Sequence, residues 1–412
     1  MSGRAGDADS GRAVVVLSLA SFASAAALRA VDPLLPLLAQ SFGTSAGGAS
    51  AVITAFAVAY GALQAVNGPL GDRIGKYRMV FWVTAVSALG NLACAYAPSL
   101  PLLVAARFAT GATVGAIVPL AMAWIGDAVP YQRRQPVLAR FLIGHMLGIA
   151  LATTASGWLG ERFGWRAIFV ALSGVYIVTA ALLYFELRTN VATRQAAKAP
   201  ESMAQAFLRM FGLARSHWVR VILAIVFIEG ALFYGALAFA AYHAHRHLGL
   251  GIAASGMLVA AFAGGGLLFA GVAGRLVPRL GERGLVLGGG LFLSAGYAGL
   301  AVAPGPGFAV PCLMAAGVGL YMLHNTLQVH ATQMAPDSRG AAVALFAFFL
   351  FTGQSAGVWL ASRAVDTIGT EPVFITAALG LPLLALEFRR RLQHRSRVIA
   401  AHYVAHETGS GK

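Results

Sequence analysis

Twelve long apolar runs dominate the 412-residue chain, and each is long enough to cross a lipid bilayer as a helix. A membrane-spanning helix needs about 20 mainly apolar residues. Strands of a membrane barrel are short and alternate in polarity, whereas these runs are continuous. The sequence therefore predicts an all-α integral membrane protein with twelve transmembrane helices, at 13–38, 47–70, 79–97, 101–126, 137–160, 166–187, 217–241, 252–274, 285–303, 307–332, 340–362 and 372–388.

Composition excludes the soluble classes of protein. Hydrophobic residues make up 58% of the chain and charged residues 11%, against about 45–50% and about 25% in soluble domains. The net charge is +15, but the basic residues fall between the runs, without the basic stripe of a nucleic-acid site. Cys94 and Cys312 lie inside apolar runs, which favours packing over a disulfide or a metal. We expect lipid as the surroundings and no nucleic acid as a partner.

Lysine and arginine predict the orientation of the chain. Of these residues, 24 lie on the side of the N-terminus or in the C-terminal tail, and four lie on the opposite side. Loops rich in lysine and arginine stay in the cytoplasm. The sequence therefore predicts a multi-pass protein of the cell inner membrane with both termini cytoplasmic. The opposite side is called the predicted outer side below.

The longest polar gap falls at the middle of the chain and separates six spans from six. It predicts an N-terminal half at 1–187, a cytoplasmic central loop at 188–216, a C-terminal half at 217–388 and a cytoplasmic basic tail at 389–412. Within the loop, Met203 to Leu213 form an amphipathic stretch suited to the inner membrane surface.

Short patterns recur between the two halves. Ala95-Tyr96-Ala97-Pro98 returns 206 positions later as Ala301-Val302-Ala303-Pro304, and Pro130 and Arg133 return as Pro336 and Arg339. The matches occur in the same order and at equivalent points of the topology. They indicate two parallel six-helix repeats.

The loop between spans two and three reads Gly68-Pro69-Leu70-Gly71-Asp72-Arg73-Ile74-Gly75-Lys76-Tyr77-Arg78. Its glycines permit a tight reversal, and its basic residues suit the cytoplasmic surface. Asp72 lies on the same side as the start of span eleven, where the N-terminus of a helix carries partial positive charge. A conformational latch made of Gly68, Asp72, Arg73, Gly75 and Lys76 is one interpretation, and an ordinary solvated turn is the other.

This loop resembles the signature of the major facilitator superfamily, G-x-x-x-D-R-x-G-[RK]-[RK], from which Tyr77 departs just before Arg78. Span number, central loop and repeat agree with that family along essentially the whole chain. The resemblance implies two six-helix halves that rock around a midplane site, a small-molecule substrate, and the latch interpretation of the loop.

Span four carries Leu103, Arg107, Gly111 and Gly115 at four-residue spacing. The pattern resembles the second motif of the drug:proton antiporter branch, which implies a role for Arg107 in proton coupling. The alternative is an arginine that snorkels to the outer surface.

The antiporter motif of span five, G-x-x-x-G-P-x-x-G-G, is only partly kept. Gly148 and Gly157 match, but Ala152, Thr153 and Ser156 replace two glycines and the proline. Small residues still permit tight packing, whereas the bend at the proline is lost. This departure weakens the inference of antiport direction.

Two further acids inside the spans are candidates for proton coupling. Asp32 lies three residues after Arg29, so the two either neutralise each other or let Asp32 exchange partners between Arg29 and Arg107. Glu229 is the only acid near the middle of a span, about 17 Å from the inner boundary. An ionised carboxylate there costs at least a few kcal/mol, which suits either proton coupling or a permanently protonated structural residue.

Polar residues within the spans predict a substrate cavity formed by Arg29, Asn91, His145, His324, Asn325 and Gln328. Hydrogen bonding between helices is the alternative for each. At the outer end of span seven, His243, His245 and His247 alternate along the chain. That spacing favours a solvated loop over a metal site.

The favoured function is proton-coupled efflux of a small drug-like or amphipathic molecule. The alternative is a metabolite or sugar permease of the same fold, acting as symporter or facilitator. No catalytic motif and no phosphate-binding loop supports an enzyme or an ATP-driven pump. We expect protons and the substrate as partners, no cofactor, and a monomer.

Overall fold

The computed structural model describes residues 2–194, 203–335 and 338–409, and within them it contains helices and no strand. In this part of the chain, ten helices are long and apolar enough to cross a membrane. One of them, Ile252–Ala301, joins spans eight and nine across a kink, and span two is divided into shorter helices. With these two taken into account, the described residues form the twelve spans that the sequence predicts.

Spans one to six have the following bounds. Span one is Ser2–Arg29, a short turn at Asp32–Leu34, and Leu35–Phe42; span two is Ala46–Ala49, Ala51–Ala62 and Gln64–Ile74; span three is Lys76–Ala95; span four is Leu100–Val114 and Ile117–Ala128; span five is Tyr131–Phe163; span six is Arg166–Thr189.

Spans seven to twelve follow the central loop. Span seven is His217–Glu229, a π-helical turn at Gly230–Tyr234, Gly235–Leu237 and Ala240–His247; spans eight and nine share Ile252–Ala301; span ten is Pro306–Gln333; span eleven is Arg339–Ile368; span twelve is Glu371–Gly409.

Two glycines make the sharp reversals at the predicted inner side. Gly75 ends span two with a φ of 97°, and Gly281 separates spans eight and nine with a φ of 61°. Both angles lie in the left-handed region, which glycine occupies without the steric penalty of a side chain. These two positions return the chain into the membrane.

The central loop and the tail contain more helix than the sequence suggested. Met203–Gly212 is an amphipathic helix as expected, with Met210 buried against span eleven at Leu345. Span twelve continues as a helix to Gly409, because no glycine or proline interrupts 389–408. Residues 195–202 of the loop, Pro336 of the repeat, and 410–412 of the tail lie outside the described residues.

Two apolar clusters form most of the core. The first draws on spans one to six and the second on spans seven to twelve. Ala238 and Phe239 of span seven and Val358, Ala361 and Val365 of span eleven join the first cluster. Spans seven and eleven therefore carry part of the contact between the two sets of six spans.

Candidate transport site

Arg29 and Asp32 form a buried ion pair where span one breaks. Arg29 Nη1 donates to Asp32 Oδ2 at 2.9 Å, and both side chains are almost completely excluded from solvent. The guanidinium carbon of Arg29 lies 4.6 Å from the ring centre of Tyr234, in the π-helical turn of span seven. The pair thus confirms the expected proximity of Arg29 and Asp32, and it contacts the other set of six spans.

Glu229 is paired with His324 across spans seven and ten. Glu229 Oε2 lies 2.8 Å from His324 Nδ1; the glutamate side chain is fully buried, and 16% of the histidine side chain is exposed. The two residues are 95 positions apart in the chain, so the local sequence of neither span predicts the pairing. The structure brings together one predicted coupling residue and one predicted cavity residue.

Tyr234 connects the Arg29–Asp32 pair to the span that carries Glu229. It follows Glu229 by five residues in span seven, and its ring centre lies 4.6 Å from the guanidinium carbon of Arg29. Sequence reasoning did not single out Tyr234, because a tyrosine in an apolar span looks like an ordinary core residue. Buried ionisable groups need such partners, since an unpaired charge in low dielectric is very costly.

Arg107 is buried and does not snorkel. Its two terminal nitrogens donate to the backbone carbonyl of Ala27 at 3.1 Å, and its guanidinium carbon lies 3.8 Å from the ring centre of Phe56. Asp32 is bonded to Arg29 and not to Arg107. The exchange of Asp32 between two arginines therefore remains a hypothesis whose starting arrangement is the Arg29 pair.

The other predicted cavity residues are distributed over several interfaces. Asn325 and Gln328 are exposed on the side of span ten that carries His324. His145 lies 3.3 Å from Ser21 of span one. Asn91 is fully buried and donates to the carbonyl of Ser87 in its own helix. The structure thus groups the three residues of span ten and places Asn91 in a packed interface.

Lys76 is the centre of the loop between spans two and three. Its ammonium contacts Asp127, at the inner end of span four, and lies 3.3 Å from Asp72. The Asp72 side chain is about half exposed, and no hydrogen bond or ion pair joins it to span eleven within the described residues. The sequence did not indicate Asp127 as a partner, because the contact joins two different spans.

Two carboxylates join the two sets of spans at the predicted outer side. Asp366, near the end of span eleven, accepts a hydrogen bond from the backbone N–H of Gly47 at the start of span two. Glu161, near the end of span five, accepts one from the backbone N–H of Ala253 at the start of span eight. Both carboxylates lie at helix N-termini, where negative charge is favourable.

The histidines at the end of span seven are helical, so the prediction of a solvated loop was wrong. His243, His245 and His247 all lie in Ala240–His247. Because His243 and His247 are four residues apart, one face of the helix presents both. Their spacing was misinterpreted because the alternation of all three residues hid the helical pair.

The family follows from a comparison with known proteins. The family model described as Major Facilitator Superfamily matches residues 17–358. The chain belongs to the major facilitator superfamily. It is therefore a multi-pass membrane transporter and not an enzyme.

Three curated relatives align over part of the chain. An uncharacterized transporter, YgaY, of Escherichia coli O157:H7 is 30% identical over 42% of this chain and 43% of its own length. The 4-hydroxybenzoate transporter PcaK of Acinetobacter baylyi is 30% identical over 42% and 38%. A lincomycin resistance protein of Streptomyces lincolnensis is 28% identical over 48% and 42%. The aligned region thus spans about two fifths of each relative's length.

A solved structure has the same fold over nearly the whole length of this chain. A peptide transporter POT superposes with a TM-score of 0.76 at 17% identity, covering 93% of this chain and 94% of the other. At this identity the likeness establishes the arrangement of helices and nothing about the substrate.

Proposed function

We propose that the protein exports a small organic molecule in exchange for protons. The observation that carries the proposal is the buried Glu229–His324 pair, together with the Arg29–Asp32 pair, whose arginine contacts Tyr234 on the span that carries Glu229. Ionisable side chains inside a membrane are expensive, and they mark proton and substrate pathways in transporters. This cluster joins spans one, seven and ten, so a change of its charge can act on both sets of spans.

The two members of the Glu229–His324 pair differ in access. Glu229 is fully buried and its Oε1 has no hydrogen-bond partner within the described residues, whereas His324 is partly exposed. A proton can therefore reach the pair through the imidazole. With one proton, the pair has no net charge: either the carboxyl of Glu229 holds the proton, or His324 holds it and the two form an ion pair. A second proton gives the pair a net positive charge that is buried. We expect proton uptake and release to accompany a change of solvent access.

Contacts between spans five and eight support alternating access. Gly157 packs against the backbone at Ile252, and Gly256 against the carbonyl of Thr153. Glu161 adds its bond to Ala253. These contacts belong to the half of each span nearer the predicted outer side. We infer that this conformation is closed to the outside, and that transport requires these contacts to separate.

The direction of export rests on two resemblances. Arg107 with Gly111 and Gly115 follows the antiporter pattern, and both glycines pack on the backbone of span two. The lincomycin resistance relative is consistent with export of a drug-like compound.

An importer of aromatic carboxylates is the second candidate. Arg29 and Arg107 are both buried, and Asp32, which is bonded to Arg29, balances one of the two positive charges. This leaves an excess of positive charge in spans one and four, which suits an anionic substrate. The relative that transports 4-hydroxybenzoate is consistent with that chemistry.

A liposome experiment tests the proton coupling. Glu229→Gln keeps the size of the side chain but removes its titration. We expect it to abolish transport driven by a pH gradient while substrate exchange without net proton movement survives. Glu186→Gln is the matched control, because Glu186 is a buried acid in span six that is bonded to Arg12 and Asn190. Full gradient-driven accumulation by Glu229→Gln would remove Glu229 as the coupling residue.

The two substrate classes are separated by a thermal-shift screen of the purified protein. Amphipathic drug-like compounds and aromatic carboxylates are compared, and the stabilising compounds are then tested in cells. Export predicts that deletion of the gene raises cellular accumulation of the compound. Import predicts that deletion lowers it.

A further inference from the structure

Three side chains of metal-binding type meet at the predicted outer end of spans seven and twelve. His243, His247 and Glu371 each offer a ligand atom, and these atoms lie within 4.8 Å of one another. We propose that these residues bind a divalent transition-metal ion of the zinc type. The site lies apart from the buried Glu229–His324 and Arg29–Asp32 pairs, and the proposal does not depend on the direction or substrate of transport.

The last helix of span seven supplies two of the ligands. Span seven is interrupted at Ala238–Phe239, and Ala240–His247 follows as a separate helix. His243 and His247 are one turn apart, and the centres of their imidazole rings are 4.8 Å apart. Two histidines at this spacing on a helix are a known arrangement for holding one zinc ion.

The start of span twelve supplies the third ligand. Gly369, with a φ of 93°, ends span eleven, and Glu371 is the first residue of the next helix. The Glu371 carboxylate lies 3.0 Å from His247 Nδ1. A small rotation of the two exposed side chains would place an ion between them. Two imidazoles and one carboxylate form a ligand set that proteins use for zinc.

His243 is oriented by a hydrogen bond to the side chain of Thr370. The His243 side chain is buried, and Nδ1 lies 2.7 Å from the hydroxyl oxygen of Thr370. When Nδ1–H donates to that hydroxyl, the lone pair of Nε2 stays available for a metal. Such outer partners fix the tautomer and orientation of metal-bound histidines.

Access and chemistry both favour a transition metal. The side chains of His247 and Glu371 are 43% and 35% exposed, so an ion can enter from the predicted outer side. Three protein ligands leave a fourth tetrahedral position for water. Mg²⁺ and Ca²⁺ prefer ligands that are all oxygen. His245 does not belong to the site, because its Nδ1 contacts the carbonyl of Leu250.

Metal binding by the purified full-length protein tests the proposal. The protein is prepared with a tag free of histidine, incubated with Zn²⁺ or Co²⁺, desalted, and analysed for bound metal. The wild type is compared with His247→Ala, Glu371→Gln and the matched control His245→Ala. Metal bound by histidines elsewhere in the chain is the same in all variants, so the difference in metal content from the wild type reports this site alone.

We expect the wild type and His245→Ala to retain about one equivalent more than His247→Ala. Glu371→Gln should bind the metal more weakly. Co²⁺ should give the visible absorption of a tetrahedral site only in the wild type and in His245→Ala. Melting curves without metal show whether each variant is folded. Equal metal content in wild type and His247→Ala, or displacement of Co²⁺ by equimolar Mg²⁺, would overturn the proposal.

Discussion

The carboxylate of Asp366 accepts a hydrogen bond of 2.9 Å from the backbone N–H of Gly47, 319 positions earlier in the chain. Ser45 donates its hydroxyl to the same carboxylate at 2.6 Å. Glu161 and Ala253 make the equivalent contact at 2.8 Å, with the roles of the two sets of spans exchanged. Positions 47 and 253 are 206 apart, and 161 and 366 are 205 apart. The two hydrogen bonds thus lie at equivalent positions of the repeat predicted from the sequence, and both hold the two sets of spans together at the predicted outer side.

Removing these carboxylates should open the predicted outer side. A charge at a helix N-terminus contributes about 0.3–1 kcal/mol, so Asp366→Asn and Glu161→Gln should each shift the conformational balance about two- to fivefold. Spin labels at Tyr96 and Val302, both strongly exposed, report the separation in a protein without Cys94 and Cys312. We expect longer distances in each variant and the longest in the double variant. Identical distance distributions in all proteins would show that the carboxylates do not hold the closure.

A larger side chain at Gly256 should prevent the same closure. A Cβ atom there would lie 2.3 Å from the carbonyl oxygen of Thr153, closer than real side chains approach. Gly256→Leu should therefore separate spans five and eight and reduce transport at least tenfold, at unchanged amounts of folded protein. Gly264→Leu is the matched control on span eight, because no described atom beyond its own stretch of helix lies within 4 Å of a Cβ at that position. Equal transport by the two variants would contradict the role of the contact.

The loop between spans two and three permits a comparison of two acids. Lys76 contacts both Asp72 and Asp127. If Asp72 is a latch toward span eleven, Asp72→Asn should lower turnover far more than substrate affinity, since it alters the balance of conformations. Asp127→Asn removes the other partner of Lys76 and should have a smaller effect on turnover. Steady-state transport rates separate the two, and equal rates for both variants would leave Asp72 as an ordinary loop residue.

Orientation can be tested by labelling from outside intact cells. Single cysteines at Tyr96 and Val302, introduced after removal of Cys94 and Cys312, should react with an impermeant thiol reagent. Cysteines at Arg73 and Arg78, which are also exposed but lie at the other end of their spans, should react only after the membrane is permeabilised. The reverse pattern would invert the topology predicted by the 24-to-4 distribution of basic residues.

Much of the fold could be predicted from the sequence because the bilayer imposes a simple local rule. A backbone in lipid must satisfy its own hydrogen bonds, so about 20 apolar residues in a row become a spanning helix whatever their neighbours are. The twelve spans, the amphipathic helix from Met203 and the reversal at Gly75 all follow from patterns within a few residues. The tail beyond 388 was assigned by charge alone, and its helix was missed for that reason.

The sequence by itself determined the membrane class, the number of spans and the individual candidates such as Asp32, Arg107 and Glu229. Only the tertiary structure decided which groups meet: Glu229 with His324, and Glu371 with His247. The physical reason is that helix formation depends on residues within one or two turns, whereas these pairs join spans far apart in the chain. Their contacts depend on how complete helices pack, and helix packing is set by the whole bundle and not by any local pattern.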